Sequence, residues 1–251
     1  LHLHTNMSQM DAIIPPDLAV KTAHRWGHKA IAITDHGVVQ AYPDAFDAGE
    51  KNQIKIIYGM EGYLISDRQE SNDELDQEAG DTKKKSSRTK IKSNHIIILA
   101  KNETGLRNLY KLVSFSHIRY FHKKPRLSRS LINRYREGLI IGSACERGEL
   151  FQAVMEGDVD KSKSLAKYYD YLEIQPICNN RFLVAEGKVE NDDGLRELNR
   201  KIYDLGKKYS KPAVATCDAH FLNKEDEIYR KILLAGQKFK DADKDVGLYF
   251  R

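Results

Sequence analysis

Ala30-Ile31-Ala32-Ile33-Thr34-Asp35-His36-Gly37, residues 30–37, reads as a short buried strand that stops on polar, ligand-type side chains. Helices are expected on both sides of it. Pro15-Pro16-Asp17 opens the first, with proline tolerated in its first turn; Leu18, Ala19, Thr22, Ala23 and Trp26 keep helical spacing, and Gly27 closes it. The second runs to about Lys51 despite Pro43. Ile54 to Tyr58 is the next strand and ends in Gly59-Met60-Glu61-Gly62. Strand, ligand-type residue, helix, strand predicts a parallel sheet with helices outside. Such folds keep their chemistry at the carboxyl ends of the strands.

The chain begins with Leu1-His2-Leu3-His4-Thr5. In a strand, alternate side chains share a face, so His2 and His4 point together while Leu1 and Leu3 pack. Two neutral imidazoles on one face suit zinc, iron, copper or nickel. Further strands are expected at His95 to Ala100, Leu139 to Ser143, Tyr169 to Ile174 and Ala213 to Thr216, making seven in all. Helices are expected at Gly105–Ile118, Gly148–Met155, Val159–Tyr168, Asp193–Tyr209 and Lys224–Gln237. The last carries Ile228, Ile232 and Leu233 on one side. Count and alternation fit a barrel-like α/β domain better than an open doubly wound sheet. The absence of G-x-G-x-x-G and Walker-type loops removes the commonest nucleotide-binding folds.

A hydrophobic fraction of 41% supports a real core, and 31% charged residues support a well-solvated surface. No apolar run approaches the roughly 18 residues of a membrane span. Three scattered cysteines do not form a disulfide framework, which points to the cytoplasm. A net charge of +5 is compatible with a polyanionic partner. Residues 67–92 interrupt the rhythm. An acidic half, Glu70 to Asp81, precedes a basic half, Lys83 to Lys90, and the segment reads as a disordered, solvated loop. Residues 120–136 are basic with interleaved aromatics and read as a solvated face, with an arginine reaching towards the site.

The ligand-type residues gather at strand ends: His2, His4, Asp11, His36, Glu61, His95, Cys145, Asp218 and His220. Converging at one barrel mouth, they form a metal site. A single zinc takes about three or four protein ligands, so nine donors suggest roughly two or three divalent ions. Ions about 3.5–4 Å apart are the apparatus for in-line attack on a phosphoester, with one lowering the pKa of a bound water to make hydroxide. The mixed donors suit zinc, manganese or iron alike. Asp35 is expected to cap the turn or orient His36 rather than bind metal. No catalytic residue is assigned beyond the ligands.

His2-Leu3-His4-Thr5, Thr34-Asp35-His36-Gly37, Gly59-Met60-Glu61, Asn94-His95, Ser143-Ala144-Cys145 and Cys217-Asp218-Ala219-His220 resemble, in order, the motifs of the polymerase and histidinol phosphatase (PHP) domain family. Asp11 falls where that family has its early acidic ligand. The resemblance implies one domain over 1–251, a distorted seven-stranded βα barrel and a trinuclear metal site. Met7 to Asp11 and Trp26 to Ala30 are similar to the PolC-type alpha subunits of bacterial DNA polymerase III. That likeness implies a role in DNA replication, with DNA and a polymerase body as partners. It also implies that an exonuclease inserted between the Glu61 and His95 motifs is missing, with the 67–92 segment in its place.

Three functions follow as expectations. The first is a metal-dependent phosphoesterase domain of a replicative polymerase, acting on DNA 3′ ends or pyrophosphate. The second is a catalytically silent module in which the ions staple the fold. The third is a stand-alone phosphatase of the histidinol phosphate type.

Overall fold

The computed structural model describes residues 1–8, 10–66, 93–237 and 248–250; the charged segment 67–92 lies outside the described residues. The strands are β1 (Ala30–Ile33), β2 (Lys55–Ile65), β3 (Asn94–Ala100), β4 (Phe121–His122), β5 (Lys124–Ser128), β6 (Leu139–Gly142), β7 (Leu172–Ile174) and β8 (Ala213–Ala215). The helices are α1 (Pro16–Arg25), α2 (Tyr42–Asn52), α3 (Glu103–Ile118), α4 (Arg129–Arg134), α5 (Glu149–Met155), α6 (Val159–Tyr168), α7 (Arg181–Ala185), α8 (Asp192–Lys208) and α9 (Glu227–Gly236).

The fold is α/β with a mixed sheet. β2 is its longest strand and pairs in parallel with β1 along one stretch and with β5 along another. β3 runs antiparallel to both β2 and β6, which corrects the all-parallel expectation. The reversal has a consequence for the site. An antiparallel strand brings its amino end to the edge where parallel neighbours bring their carboxyl ends. His95, at the start of β3, therefore arrives beside residues that end or follow the other strands.

β7 and β8 pair in parallel as a separate ladder. Gly142, at the end of β6, bridges in parallel to Tyr171 just before β7, and Ala219, beyond β8, bridges in parallel to Leu3. The first expected strand is thus reduced to Leu3, which also bonds Thr34 after β1 through both backbone groups. Gly142 lies against Tyr171; a Cβ there would come within 2.2 Å of the ring, so only glycine admits this approach.

Two further expectations need correction. The strand expected to end at Tyr58 continues to Ile65, leaving Glu61 mid-strand. The basic stretch expected to be a solvated face contains β5, whose Pro125, Arg126, Leu127 and Ser128 are buried. Pairing with the far end of β2 buries this segment despite its weak apolar pattern.

Helix boundaries follow local chemistry. The side chains of Asn102, Asp158 and Asn191 accept hydrogen bonds from Gly105, Lys161 and Gly194 backbone nitrogens, capping α3, α6 and α8. Pro43 sits in the first turn of α2, where no backbone donor is lost. Leu109 and Leu112 of α3 are fully buried in the same core as Ile96 and Ile98 of β3, and each such side chain contributes about 1.5–3 kcal/mol. In α9 the expected apolar stripe faces outward, with Ile228 and Ile232 exposed. The buried residue of that helix is Arg230.

Candidate metal centre

All nine residues expected as ligands meet in one neighbourhood, around two carboxylates. Glu61 is central. Its Oε1 lies 3.3 Å from His2 Nε2, 2.7 Å from His95 Nδ1 and 3.7 Å from Cys145 Sγ. Its Oε2 lies 2.5 Å from His36 Nδ1 and 3.7 Å from His4 Nε2. Asp218 Oδ1 lies 3.2 Å from His2 Nε2, 3.3 Å from His4 Nε2 and 3.6 Å from His220 Nδ1. Asp11 Oδ2 joins the cluster 3.0 Å from His36 Nε2 and 3.5 Å from His220 Nε2.

Three of the imidazoles are aimed. His2 Nδ1 donates to Glu173 Oε2 at 2.9 Å, and that carboxylate is itself held by Thr216 Oγ1 and Tyr171 OH. His4 Nδ1 lies 3.2 Å from Ser8 Oγ, which donates to Asp35 Oδ1 and so accepts from His4. His220 Nδ1 donates to the Asp218 carbonyl at 2.9 Å. In the neutral ring each contact fixes the tautomer that leaves an Nε2 lone pair for the site. Buried His2 Nε2, His4 Nε2, His36 Nδ1 and Glu61 Oε2 have no well-formed hydrogen bond. Buried polar atoms without partners are costly, and divalent cations would satisfy these four together. The donor set therefore fits metal.

The electrostatics agree. Burial alone disfavours a charged imidazole, yet Asp218 and Glu173 outweigh it and hold His2 well above its ordinary value. Against the same burial, Glu61 and Asp11 push His36 up to about 9. His4 goes the other way, driven down by burial and by the charges of His36 and His220. His95 and His36 hold Glu61 well below the carboxylate range although burial opposes this. The carboxylates demand positive charge, and some imidazoles supply it with protons.

Backbone strain concentrates here too. Met10, Lys123, Ala144 and Asp218 adopt positive φ, between 51° and 65°. Such conformations in non-glycine residues persist only where the surroundings over-determine them. The strand expected to carry Asp218 and His220 ends at Ala215, and the left-handed turn at Asp218 brings both side chains to the site.

Asp35 is not among the donors. It accepts from Thr5 N, Thr5 Oγ1 and Ser8 Oγ at 2.6–2.8 Å, tying down the loop after His4. It reaches His36 only through Ser8 Oγ, which accepts the His36 N–H. Sequence reasoning missed Glu173, Ser8, Glu146 and Arg230. Glu173 left a signal, as a lone carboxylate between Leu172 and Ile174 in an apolar strand. Glu146 belongs with Cys145 and Asp218 in a further donor group. Arg230 clamps Asp11, with Nε to its carbonyl at 3.0 Å and Nη2 to its Oδ1. Ser8 and Arg230 left none. The centre opens to a cleft of about 780 Å³.

A family model described as the PHP domain matches residues 1–176. The PolC-type DNA polymerase III of Clostridium perfringens is 35% identical over 432 aligned residues, covering 100% of this chain and 30% of that protein. That of Bacillus subtilis is 29% identical over 419, covering 94% of this chain and 29% of the relative. The chain spans less than a third of the length of these relatives. The alignment with the Clostridium protein is far longer than the 251 residues of this chain, so that relative has a long stretch facing gaps. Among solved structures, a provisionally assigned metal-dependent phosphoesterase from Bifidobacterium adolescentis aligns with a TM-score of 0.49 at 13% identity, over 87% of this chain and 86% of its own.

Proposed function

The chain belongs to the PHP domain family, and from that premise we propose that it is a metal-dependent phosphoesterase domain of a replicative DNA polymerase. The observation that carries this reading is the convergence of five imidazoles, a thiol and the Asp11 carboxylate around Glu61 and Asp218, with buried nitrogen and oxygen atoms left for cations. His2, His4 and Asp218 would hold one ion, Glu61, His95 and Cys145 a second, and Asp11, His36 and His220 a third. Zinc, manganese and iron all suit these donors. When bound, such ions supply Lewis acidity and a water of lowered pKa for in-line attack at phosphorus.

The chain's own residues do the rest. Glu173, Ser8 and the Asp218 carbonyl keep His2, His4 and His220 from rotating. Glu61 touches donors of all three groups, so it sets their spacing. Asp11, more exposed than the floor, faces the cleft from which a phosphoester would enter. The bridges at Leu3 and Gly142 support reading the sheet as a distorted seven-stranded barrel within a single domain. The relatives support placement in a longer polymerase in the cytoplasm, with DNA and the polymerase body as partners. The long stretch facing gaps supports a missing insertion at 67–92.

The test is metal analysis of the purified protein followed by assays with manganese or zinc on single-stranded DNA, pyrophosphate and p-nitrophenyl phosphate. Hydrolysis that disappears in Asp218→Asn while the thermal midpoint barely moves supports turnover. A parent that hydrolyses nothing, paired with a collapsed midpoint in the variant, makes the ions structural staples. Fewer than about two ions per chain defeats the cluster itself.

A further inference from the structure

β4 and β5 form a hairpin that overhangs the centre. His122 pairs with Lys124, so the turn is the single residue Lys123, held at φ 62°. The hairpin is anchored on the turn that carries His36. Pro125 packs on Gly37 so closely that a Cβ at Gly37 would lie 2.4 Å from Pro125 Cγ. His117 Nε2 donates to the Gly37 carbonyl at 2.8 Å, and Phe121 stacks on His117. The geometry thus presents Lys123 and Lys124 to the cleft.

Lys124 Nζ sits 4.3 Å from the centroid of the Tyr63 ring. Tyr63 in turn neighbours His36 and His95, at 6.0 and 5.4 Å between centroids. Arg147 enters the same cleft from the loop after Cys145. Its Nε lies 3.5 Å from Glu146 Oε1. Among the described residues neither Lys123 nor Lys124 has a carboxylate within ion-pair distance. Two lysines beside a carboxylate-rich floor without an ion pair to it, and an arginine held to Glu146 through Nε, are available to an anion. On the phosphoesterase reading, the floor would take the phosphate under attack.

Resting on the phosphoesterase reading, we propose that Lys123, Lys124 and Arg147 form a ledge for the phosphate next to the one that reacts, which makes the substrate a single-stranded nucleic acid. Lysine holds phosphate as a point charge and arginine as a fork. The Tyr63 face is taken by Lys124, so the ledge reads backbone rather than base and carries no sequence preference. The cleft of about 780 Å³ is within the range that encloses drug-sized ligands, roughly 300–1,000 Å³, and so has room beyond a lone phosphate.

The test is fluorescence anisotropy with the metal-loaded protein and a labelled single-stranded DNA whose phosphorothioate links resist hydrolysis, repeated over a salt series. Lys124→Ala and Arg147→Ala are expected to weaken binding roughly five- to tenfold each and to flatten the salt slope by about 1. Lys124→Arg is expected to retain both. All three side chains are exposed, and circular dichroism checks that the variants fold. An unchanged affinity and slope in the Lys123→Ala, Lys124→Ala double variant overturns the ledge, as does a parent that binds no strand. Displacement by pyrophosphate as effective as by unlabelled strand overturns the assignment to nucleic acid. The two readings fail separately. Lysine-dependent binding without turnover on any substrate leaves the ledge and removes the phosphoesterase, whereas hydrolysis of p-nitrophenyl phosphate without strand binding does the reverse.

Discussion

His2 and His36 approach the same carboxylate, Glu61, from two levels of the cleft, and they are held by different means. His2 is buried, with its far nitrogen on Glu173, and Glu173 is pinned by Tyr171 and Thr216. His36 is partly exposed, and its far nitrogen meets Asp11, a side chain still 29% accessible. On the floor every support is itself buried and hydrogen-bonded. On the rim the support is a surface carboxylate that depends on Arg230 from a helix whose apolar stripe faces outward. A preorganised floor and a softer rim should hold cations with different affinity and exchange rate, because orientation of the ligands is a large part of metal affinity.

Glu61→Ala should give the largest effect, since this side chain belongs to both levels. Removing it takes away the one carboxylate that His2, His4, His36 and His95 share among the described residues. Breaking a buried ionic arrangement costs about 3–5 kcal/mol, which at 2–4 °C per kcal/mol for a chain of this size is on the order of 10 °C in midpoint. Metal content should drop at both levels, read by elemental analysis and calorimetry. Loss of rim metal alone would refute a shared role.

Asp11→Asn should separate the levels. It preserves shape and removes one anionic ligand, so titration with manganese should lose its weakest site while the tighter ones persist. The midpoint should move by less than in Glu61→Ala, because Asp11 is solvated in part. Equal weakening of every site would erase the distinction between floor and rim. Glu173→Gln addresses the floor from behind. The amide can still approach His2 Nδ1 but no longer offers a charged acceptor, and such partners are worth roughly 10–100-fold in metal affinity. The tightest site should weaken while the rim site keeps its affinity.

How far the sequence shows this division depends on where each signal lies. The residues that converge at the site were legible because chemistry marks them: His2 with His4, Asp35-His36-Gly37 after an apolar run, and Asp218 with His220 after another. Apolar runs such as Ile96 to Leu99 located β1, β2, β3 and β6, because a short buried run bounded by polar residues suits a strand. Direction was not legible. Nothing in Asn94 to Ala100 says that β3 runs against its neighbours, because reversal depends on the connection before it. β5 was missed because Lys124-Pro125-Arg126-Leu127-Ser128 carries one aliphatic residue, and its burial comes from pairing with β2. Ser8 and Arg230 were missed for the same reason. Their roles come from partners 27 and 219 residues away, Asp35 and Asp11, and no local pattern encodes such distances.

Arg230→Lys should give the smallest effect and is the sharpest test of what holds the rim. Charge is retained, so long-range attraction to Asp11 persists. The fork is lost, and an ammonium group cannot serve both the Asp11 carbonyl and its carboxylate in the arginine's geometry. Oδ2, the oxygen facing His36 and His220, would then be free to swing. Losing one positioned hydrogen bond is worth about 0.5–1.5 kcal/mol, so the weakest manganese site should loosen roughly three- to tenfold. Floor affinity should stay put, because none of its supports touches α9. A rim affinity that survives Arg230→Lys intact would mean that charge alone holds Asp11, and that the rim differs from the floor in exposure but not in preorganisation.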